Sequence, residues 1–519
     1  MPKTLIRSTL VVSAMTLISR VMGLLRDILF ATLFAASAGM DAFLVAFKIP
    51  NFGRRLFAEG AFSQAFVPVF TETKTQAEQE VKELVDVVAG TLGGVLVMIT
   101  VFGVLAAPFF IMLFAPGFVD DPEKFALSSD MLRLTFPYLL FISLTAFAGG
   151  VLNSYGRFAV PAVTPVLLNF SLIGAALWLA PRFEQPVMAL ALGVFVAGIA
   201  QLALQLPFLA RLGLLPRPRW GWRHSKVRRI LKLMLPVLFG SSVAQINLLL
   251  DMVVASFLIT GSVSWLYYSD RLMEFPLGVF SIALATVILP SLSARHAEAS
   301  TKAFSNTLDW ALRLLIVIGT PAMVGLFVLA GPLLTTLFHY NAFTVQDVLM
   351  SRYSLMAYAL GFMGFSMVKV LLPGFYSRQD TRTPVRFGVI SLVVNMVLNV
   401  GFVLAIIYLE GPAPHAGLAL ATSLGAFVNA GLLFRRLRAD GIYRPLPGWV
   451  GLALKVLLAN ITMAAVLYGL AGDTQRWLAL DLWARLQLLG TVIAAGALAY
   501  FLVLALFGLR PGQFHTPRH

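Results

Sequence analysis

The sequence predicts an all-α, polytopic membrane protein of fourteen transmembrane helices, and three observations carry that prediction. Of 519 residues, 59% are hydrophobic and only 12% are charged, with a mean hydropathy of +0.86. A soluble domain carries about 25% charged residues. Runs such as Thr91 to Phe114, Phe158 to Ala180 and Leu488 to Phe507 each supply about the 20 residues that cross ~30 Å of hydrocarbon. Finally, the basic residues sort onto alternate connecting loops.

In chain order, spans are placed near 8–35, 40–71, 85–114, 128–153, 159–180, 187–209, 230–259, 265–294, 307–338, 348–376, 384–408, 416–434, 449–471 and 478–508. The first is not a cleavable signal, since it is longer than a secretory apolar region and carries Arg20, Arg26 and Asp27. In the second, Pro50 is expected to kink the helix. An even number of spans puts both termini on one side. Lys and Arg in loops and helix ends on that side total 23, seven of them from Arg211 to Arg229. The other side has Lys124, Arg182 and Arg476 alone. The positive-inside rule then places both termini in the cytoplasm. On the opposite side the longest loop, about Ala115 to Leu127, reads as a solvated turn.

The chain also repeats itself. Gly39 and Gly261 lie in matching short loops (261 − 39 = 222), and Pro68 and Pro290 end matching spans at the same offset. LNSYGR, Leu152 to Arg157, resembles PGFYSR, Pro373 to Arg378, and Pro161 and Pro384 open the helices that follow. Four matches in near-constant register imply two six-helix lobes, 1–229 and 230–446. Each half has an even number of spans, so the pseudo-two-fold axis runs along the membrane normal. Residues 447–519, a further helix pair and the tail, lie outside the repeat.

Several chemistries are excluded. There is no cysteine for a disulfide or thiolate site, the six histidines show no metal-ligand spacing, and there is no phosphate-binding G-x-x-x-x-G-K-[ST] loop. No cofactor or metal is expected, and the protein is expected not to be an enzyme. The net charge of +15 is assigned to topology and anionic lipid rather than nucleic acid.

The informative residues are the charges inside the predicted spans. Each costs about 2.5–3.5 kcal/mol at a helix centre on insertion scales, so it faces a cavity or a partner. Helix 1 carries Arg20, Arg26 and Asp27; helix 2 carries Asp41, Lys48, Arg54, Arg55 and Glu59. Helix 8 adds Asp270, Arg271 and Glu274, and helix 10 adds Lys369. For Arg55, Glu59, Asp270 and Glu274, mutual pairing within the bundle or snorkelling to an interface stands as an equal alternative to facing a cavity, and Asp27 can neutralise Arg26. Lys232, Lys455 and Arg485, near helix ends, are expected to snorkel to the interface. In helices 1 and 2 five cations outnumber three acids, a surplus that calls for an anion. Arginine suits a diphosphate, because its planar fork donates paired hydrogen bonds and stays charged when desolvated.

Four segments closely resemble the MurJ (MviN) family: SRVMGLLRD (Ser19 to Asp27), DAFLVAFKIPNFGRRLFAEGAFSQAFVP (Asp41 to Pro68), GSVSWLYYSDRLMEFPLGV (Gly261 to Val279) and PGFYSRQDTRTPV (Pro373 to Val385). Members are lipid II flippases of bacterial peptidoglycan synthesis, in the multidrug/oligosaccharidyl-lipid/polysaccharide exporter superfamily. The resemblance implies two six-helix lobes, a C-terminal helix pair forming a lipid groove, a cationic cavity and alternating access. It carries the family's cavity residues onto Arg20, Arg26, Asp41, Arg54 and Arg271.

The resulting expectation is a flippase moving lipid II from the cytoplasmic to the periplasmic leaflet of the bacterial inner membrane. Arg20, Arg26, Arg54 and Arg271 would hold the diphosphate. Asp41 would act as a gate, pairing with a cavity arginine in one state only, with Asp27, Lys48, Glu59, Glu274 and Lys369 completing the ion pairs. The expected partners are lipid II and membrane lipids, with room for functional contact with the cell-wall synthesis machinery; a monomer is expected. Two alternatives stand beside this: an exporter of another polyprenyl-diphosphate-linked oligosaccharide or of drugs, and an intramembrane enzyme acting on polyprenyl phosphate.

Overall fold

In lipid a backbone must satisfy its own hydrogen bonds, and a chain this apolar does so by forming helices. The computed structural model describes residues 3–55, 62–278, 288–293 and 300–509. Every regular element among them is helical, and the chain divides into two compact units, Met1–Ser264 and Trp265–His519.

The first unit contains α1 (Lys3–Phe34), α2 (Ala38–Arg54), α3 (Ser63–Gln76), α4 (Val81–Leu105), α5 (Ala107–Phe114), α6 (Pro122–Thr135), α7 (Tyr138–Ser154), α8 (Ala159–Gly174), α9 (Met188–Arg211) and α10 (Ser225–Ser256). Helix α11 (Ser262–Pro276) crosses the boundary of the units. Local chemistry sets the starts. Ser37 accepts from Met40 N at 3.2 Å to open α2, and Asp121 accepts from Lys124 N at 3.1 Å to open α6, with Pro122 at its first position. Helix α1 packs on α8, α2 on α6, and α7 on α9. Phe62, Phe66, Phe70 and Phe147 form the middle of a core shared by α3, α4, α7, α9 and α10.

The second unit continues with α12 (Thr301–Val328), α13 (Ala330–Phe338), α14 (Val345–Leu371), α15 (Arg382–Tyr408), α16 (Pro414–Ala439), α17 (Trp449–Ala471), α18 (Thr474–Leu478) and α19 (Leu482–Leu506). Small residues let α14 and α16 touch. A Cβ on Gly361 would stand 2.3 Å from Ser423 Oγ, and one on Gly364 would stand 2.9 Å from Phe427 N. That closeness is how membrane helices gain packing without a hydrophobic drive between them. Helices α17 and α19 pack on each other and on α12 through Val317, Val456, Met463, Leu467 and Val492. Tyr500 donates to Val317 O at 2.7 Å and Asn460 to Thr320 Oγ1 at 2.9 Å.

Ten helical segments among the described residues are long and apolar enough to cross a membrane: Glu78–Leu105, Pro122–Ser154, Ala159–Arg182, Met188–Arg211, Thr301–Val328, Val345–Tyr376, Arg382–Tyr408, Pro414–Ala439, Trp449–Ala471 and Leu482–Leu506. Outside this set are the segments of four predicted spans, α1, α2 with α3, α10, and α11. Helices α2 and α11, at 17 and 15 residues, are shorter than a full span, and both carry charged residues, as does α1. Pro50 lies inside α2.

Two local expectations need correction. The loop near Ala115 to Leu127 is not a freely solvated turn: Phe118 is 2% and Lys124 7% exposed, and Lys124 lies in the first turn of α6. Nor does Arg485 snorkel. It is buried, donating to the carbonyls of Trp477 (2.9 Å), Thr335 (3.1 Å), His339 (3.1 Å) and Leu478 (3.2 Å), with Tyr340 under its guanidinium. Carbonyls at the ends of α13 and α18 carry partial negative charge, which satisfies the cation without an acid.

Candidate functional site

Helix α1 presents its charges unequally. Arg26 is 8% exposed and Asp27 2%. The Nε and Nη2 of Arg26 donate to Asp27 Oδ1 at 2.9 and 2.7 Å, and Nη1 donates to Asn169 Oδ1 at 3.0 Å. Asn169 on α8 is itself oriented by donating to Ser19 O at 3.0 Å, and the Phe30 ring lies under the guanidinium. Arg26 and Asp27 therefore form a buried ion pair. Arg20 differs: it is half-buried and has no hydrogen-bond or ion-pair partner among the described residues. Of the three charges Arg20, Arg26 and Asp27 on α1, Arg20 is the cation in surplus.

Asp41, in the first turn of α2, is 1% exposed and accepts four hydrogen bonds. Lys124 Nζ (3.1 Å) and Gly261 N (2.8 Å) reach Oδ2, and Ser264 N (2.9 Å) and Ser264 Oγ (2.7 Å) reach Oδ1. The carboxylate thus caps the N-terminus of α11, where exposed N–H groups and the helix dipole favour an anion. Its cation in this conformation is a lysine from α6, not an arginine. Lys124 also lies over the Phe118 ring.

Further along α2, Lys48 and Arg54 are half-buried, and Arg54 Nε donates to Asn51 Oδ1 at 2.7 Å. Glu59 lies outside the described residues. On α11, Arg271 bonds Glu274 one turn away at 2.7 Å and covers the Tyr267 ring. Lys369 on α14 is half-buried and has no ion-pair partner among the described residues. At the start of α10, Arg229 bonds Glu72 at 2.9 Å and Lys226 bonds Glu80 at 2.5 Å. These hydrogen bonds hold both carboxyls below their ordinary range.

Sequence reasoning missed Asn169, because an uncharged amide on an apolar helix carries no signal of its partner 143 positions away. The signal for Lys124 was available: it is one of only three basic residues on the side opposite the basic loops. The described residues hold no cluster of three or more His, Asp or Glu able to bind a metal.

A family model described as "Lipid II flippase MurJ" matches residues 30–487. A Vibrio cholerae protein named "Probable lipid II flippase MurJ" is 47% identical over 516 residues, 98% of this chain and 97% of that one. A Burkholderia cenocepacia protein named "Lipid II flippase MurJ" is 41% identical over 519 residues, covering 98% and 99%. The solved structure "Lipid II flippase MurJ, inward closed conformation" superimposes with a TM-score of 0.80 at 27% identity, over 96% of this chain and 98% of that one. An inward-facing multidrug resistance MATE transporter shares the fold at a TM-score of 0.65 and 15% identity, covering 82% and 95%. Full-length identity of this order, on a helical scaffold with charges at the motif positions, shows that the chain is a multi-pass membrane protein belonging to the MurJ lipid II flippase family.

Proposed function

We propose that this protein flips lipid II, the undecaprenyl-diphosphate-linked disaccharide-pentapeptide, from the cytoplasmic to the periplasmic leaflet of a bacterial inner membrane. It would use fourteen helices, with pseudo-symmetric lobes 1–229 and 230–446, α17 and α19 as a lipid groove, both termini cytoplasmic, and alternating access to a cationic cavity. The barrier to flipping is the headgroup, because a charged diphosphate cannot be left unsolvated in hydrocarbon. Arginine side chains replace the lost water with charge-assisted hydrogen bonds.

The observation that carries this reading is Arg20, a half-buried cation in an apolar helix with no protein partner among the described residues. Desolvating a cation this way is costly unless an anion is supplied from outside the protein. Arg54, Arg271 and Lys369 are proposed to join Arg20 on the diphosphate. Arg26, neutralised by Asp27, would orient α1 and lend its remaining hydrogen-bond capacity. Asp41 is proposed as the gate, releasing Lys124 and the start of α11 when the state changes.

The test is complementation of a flippase-depleted strain with Arg→Ala at Arg20, Arg26, Arg54 and Arg271, paired with lipid II binding by the purified variants. Loss of viability at normal protein levels, with weakened binding for Arg20→Ala, is expected. Full viability of all four would sink the cationic-site reading.

A further inference from the structure

Residues 215–220 read LPRPRW and residues 444–449 read RPLPGW, so the pattern P-x-P-x-W recurs (449 − 220 = 229). Each segment leads into a long helix of its own unit, α10 in the first and α17 in the second. Each is also fastened by the same hydrogen bond. Prolines have no N–H, so a Pro-x-Pro stretch presents only the N–H of its middle residue. That residue is Arg217 in one segment, donating to Asp86 Oδ1 at 2.7 Å. It is Leu446 in the other, donating to Asp309 Oδ1 at 3.2 Å.

The two aspartates are 5% and 0% exposed and stand in the register of the repeat (309 − 86 = 223). Buried carboxylates persist only when paired and hydrogen-bonded. One helical turn away, Lys82 pairs with Asp86, and Arg313 Nε donates to Asp309 Oδ2 at 2.6 Å. Asp309 also accepts from Tyr443 Oη and Trp449 Nε1, each at 2.8 Å.

The remainder of the fastening differs between the units. On α4 the segment lies directly on the helix: Arg219 N donates to Asp86 O at 3.0 Å and Gly221 N to Thr91 Oγ1 at 3.0 Å. Gly90 permits this, because a Cβ there would stand 2.3 Å from Arg219 O. The position matching Gly90 on α12 is Arg313 (313 − 90 = 223). It reaches over the second segment, donating to Leu446 O at 3.0 Å and Pro447 O at 2.9 Å and stacking on Trp449. Two unlike surroundings thus preserve one bond, from the residue between the prolines to a buried aspartate.

We propose that the P-x-P-x-W segments are paired clamps, each keyed by one buried aspartate, that fasten the start of α10 to α4 and the start of α17 to α12. The start of each helix then moves as one body with the helix to which its segment is fastened. Asp86 and Asp309 are positioning residues in this scheme. The mechanical half stands without the transport reading, while its consequence for flipping rests on that reading.

The test is hydrogen exchange by mass spectrometry on the purified full-length protein in lipid nanodiscs. Asp86→Ala is expected to speed exchange in 215–222 at least tenfold while leaving 444–449 unchanged, and Asp309→Ala to do the reverse. Asp86→Asn keeps an acceptor oxygen for Arg217 N–H and should stay within about threefold of the parent. Gly90→Val, which pushes the segment off α4 with Asp86 intact, should open 215–222 as Asp86→Ala does, and it decides the matter where Asp86→Ala does not fold.

Unchanged exchange in 215–222, or acceleration spread evenly over α4 and α10, would overturn the clamp. In proteoliposomes Asp86→Ala should lower lipid II flipping at least tenfold with lipid II binding unchanged, and Asp86→Asn should restore it. Open clamps with parental flipping would overturn the coupling. Absence of flipping by the parent protein would instead count against the transport reading, leaving the exchange result to decide the clamp.

Discussion

Replacing Asp41 by Asn probes a buried carboxylate that accepts four hydrogen bonds with a change of one atom. The carboxylate accepts from Lys124 Nζ, Gly261 N, Ser264 N and Ser264 Oγ at 2.7–3.1 Å. An amide keeps one acceptor oxygen, so two of these donors would face an NH2 group. The heavier loss is electrostatic, because Lys124, 7% exposed, is left as a buried cation without its anion. Breaking a buried pair from one side costs about 3–5 kcal/mol, which lowers the melting temperature on the order of 5–10 °C for a cooperative unit this large. Lys124→Met removes the charge and should cost less in the Asp41→Asn background than in the parent. Thermal unfolding of the four proteins of this double-mutant cycle measures the coupling. A coupling of at least ~1 kcal/mol is expected; additive effects within about 0.5 kcal/mol would refute the claim that this pair holds the start of α11.

The same logic applies to α1. Arg26→Leu takes the guanidinium away from the buried Asp27 carboxylate and should destabilise by about 3–5 kcal/mol, whereas Arg26→Leu with Asp27→Asn should recover most of that in a melting assay while still failing complementation. Arg485→Leu removes a cation from four carbonyls and should cost about 3 kcal/mol or more, loosening α19 in hydrogen exchange; Arg485→Lys should recover part of it. The pairs Glu72–Arg229 and Glu80–Lys226 respond to pH with a definite sign. Both carboxyls are held below their ordinary value of 4.5, so their contribution is fully present above that value and is lost as pH falls through the lower folded-state values. Melting of Glu72→Gln with Glu80→Gln should therefore approach the parent as pH drops below ~4.5, with the gap also shrinking in high salt.

How much of this was legible in the residues depends on the range of the interaction involved. Helicity, the membrane class and the ordinary spans follow from composition and run length, because burial in lipid is a local property of about 20 consecutive residues. The charged positions of α1, α2 and α11 were equally visible, since a charge in an apolar run stands out whatever surrounds it. The repeat was visible too, though its sharpest members, Asp86 and Asp309, emerged only with their hydrogen bonds.

What a charge does was not legible, because that depends on a partner brought near by folding. Arg26 and Arg20 sit six residues apart in one motif. One is neutralised by its neighbour and held by Asn169 from α8, while the other keeps its charge free of any described partner. Lys124 looked like a solvated loop lysine and is a buried counter-ion. Arg485 looked like a snorkelling end and is a buried staple on four carbonyls. Residue order alone marks which acidic and basic side chains stand in apolar runs. The tertiary structure decided which of those charges are already satisfied, because Coulomb and hydrogen-bond energies in a low-dielectric interior depend on a few ångströms of separation that no sequence spacing encodes.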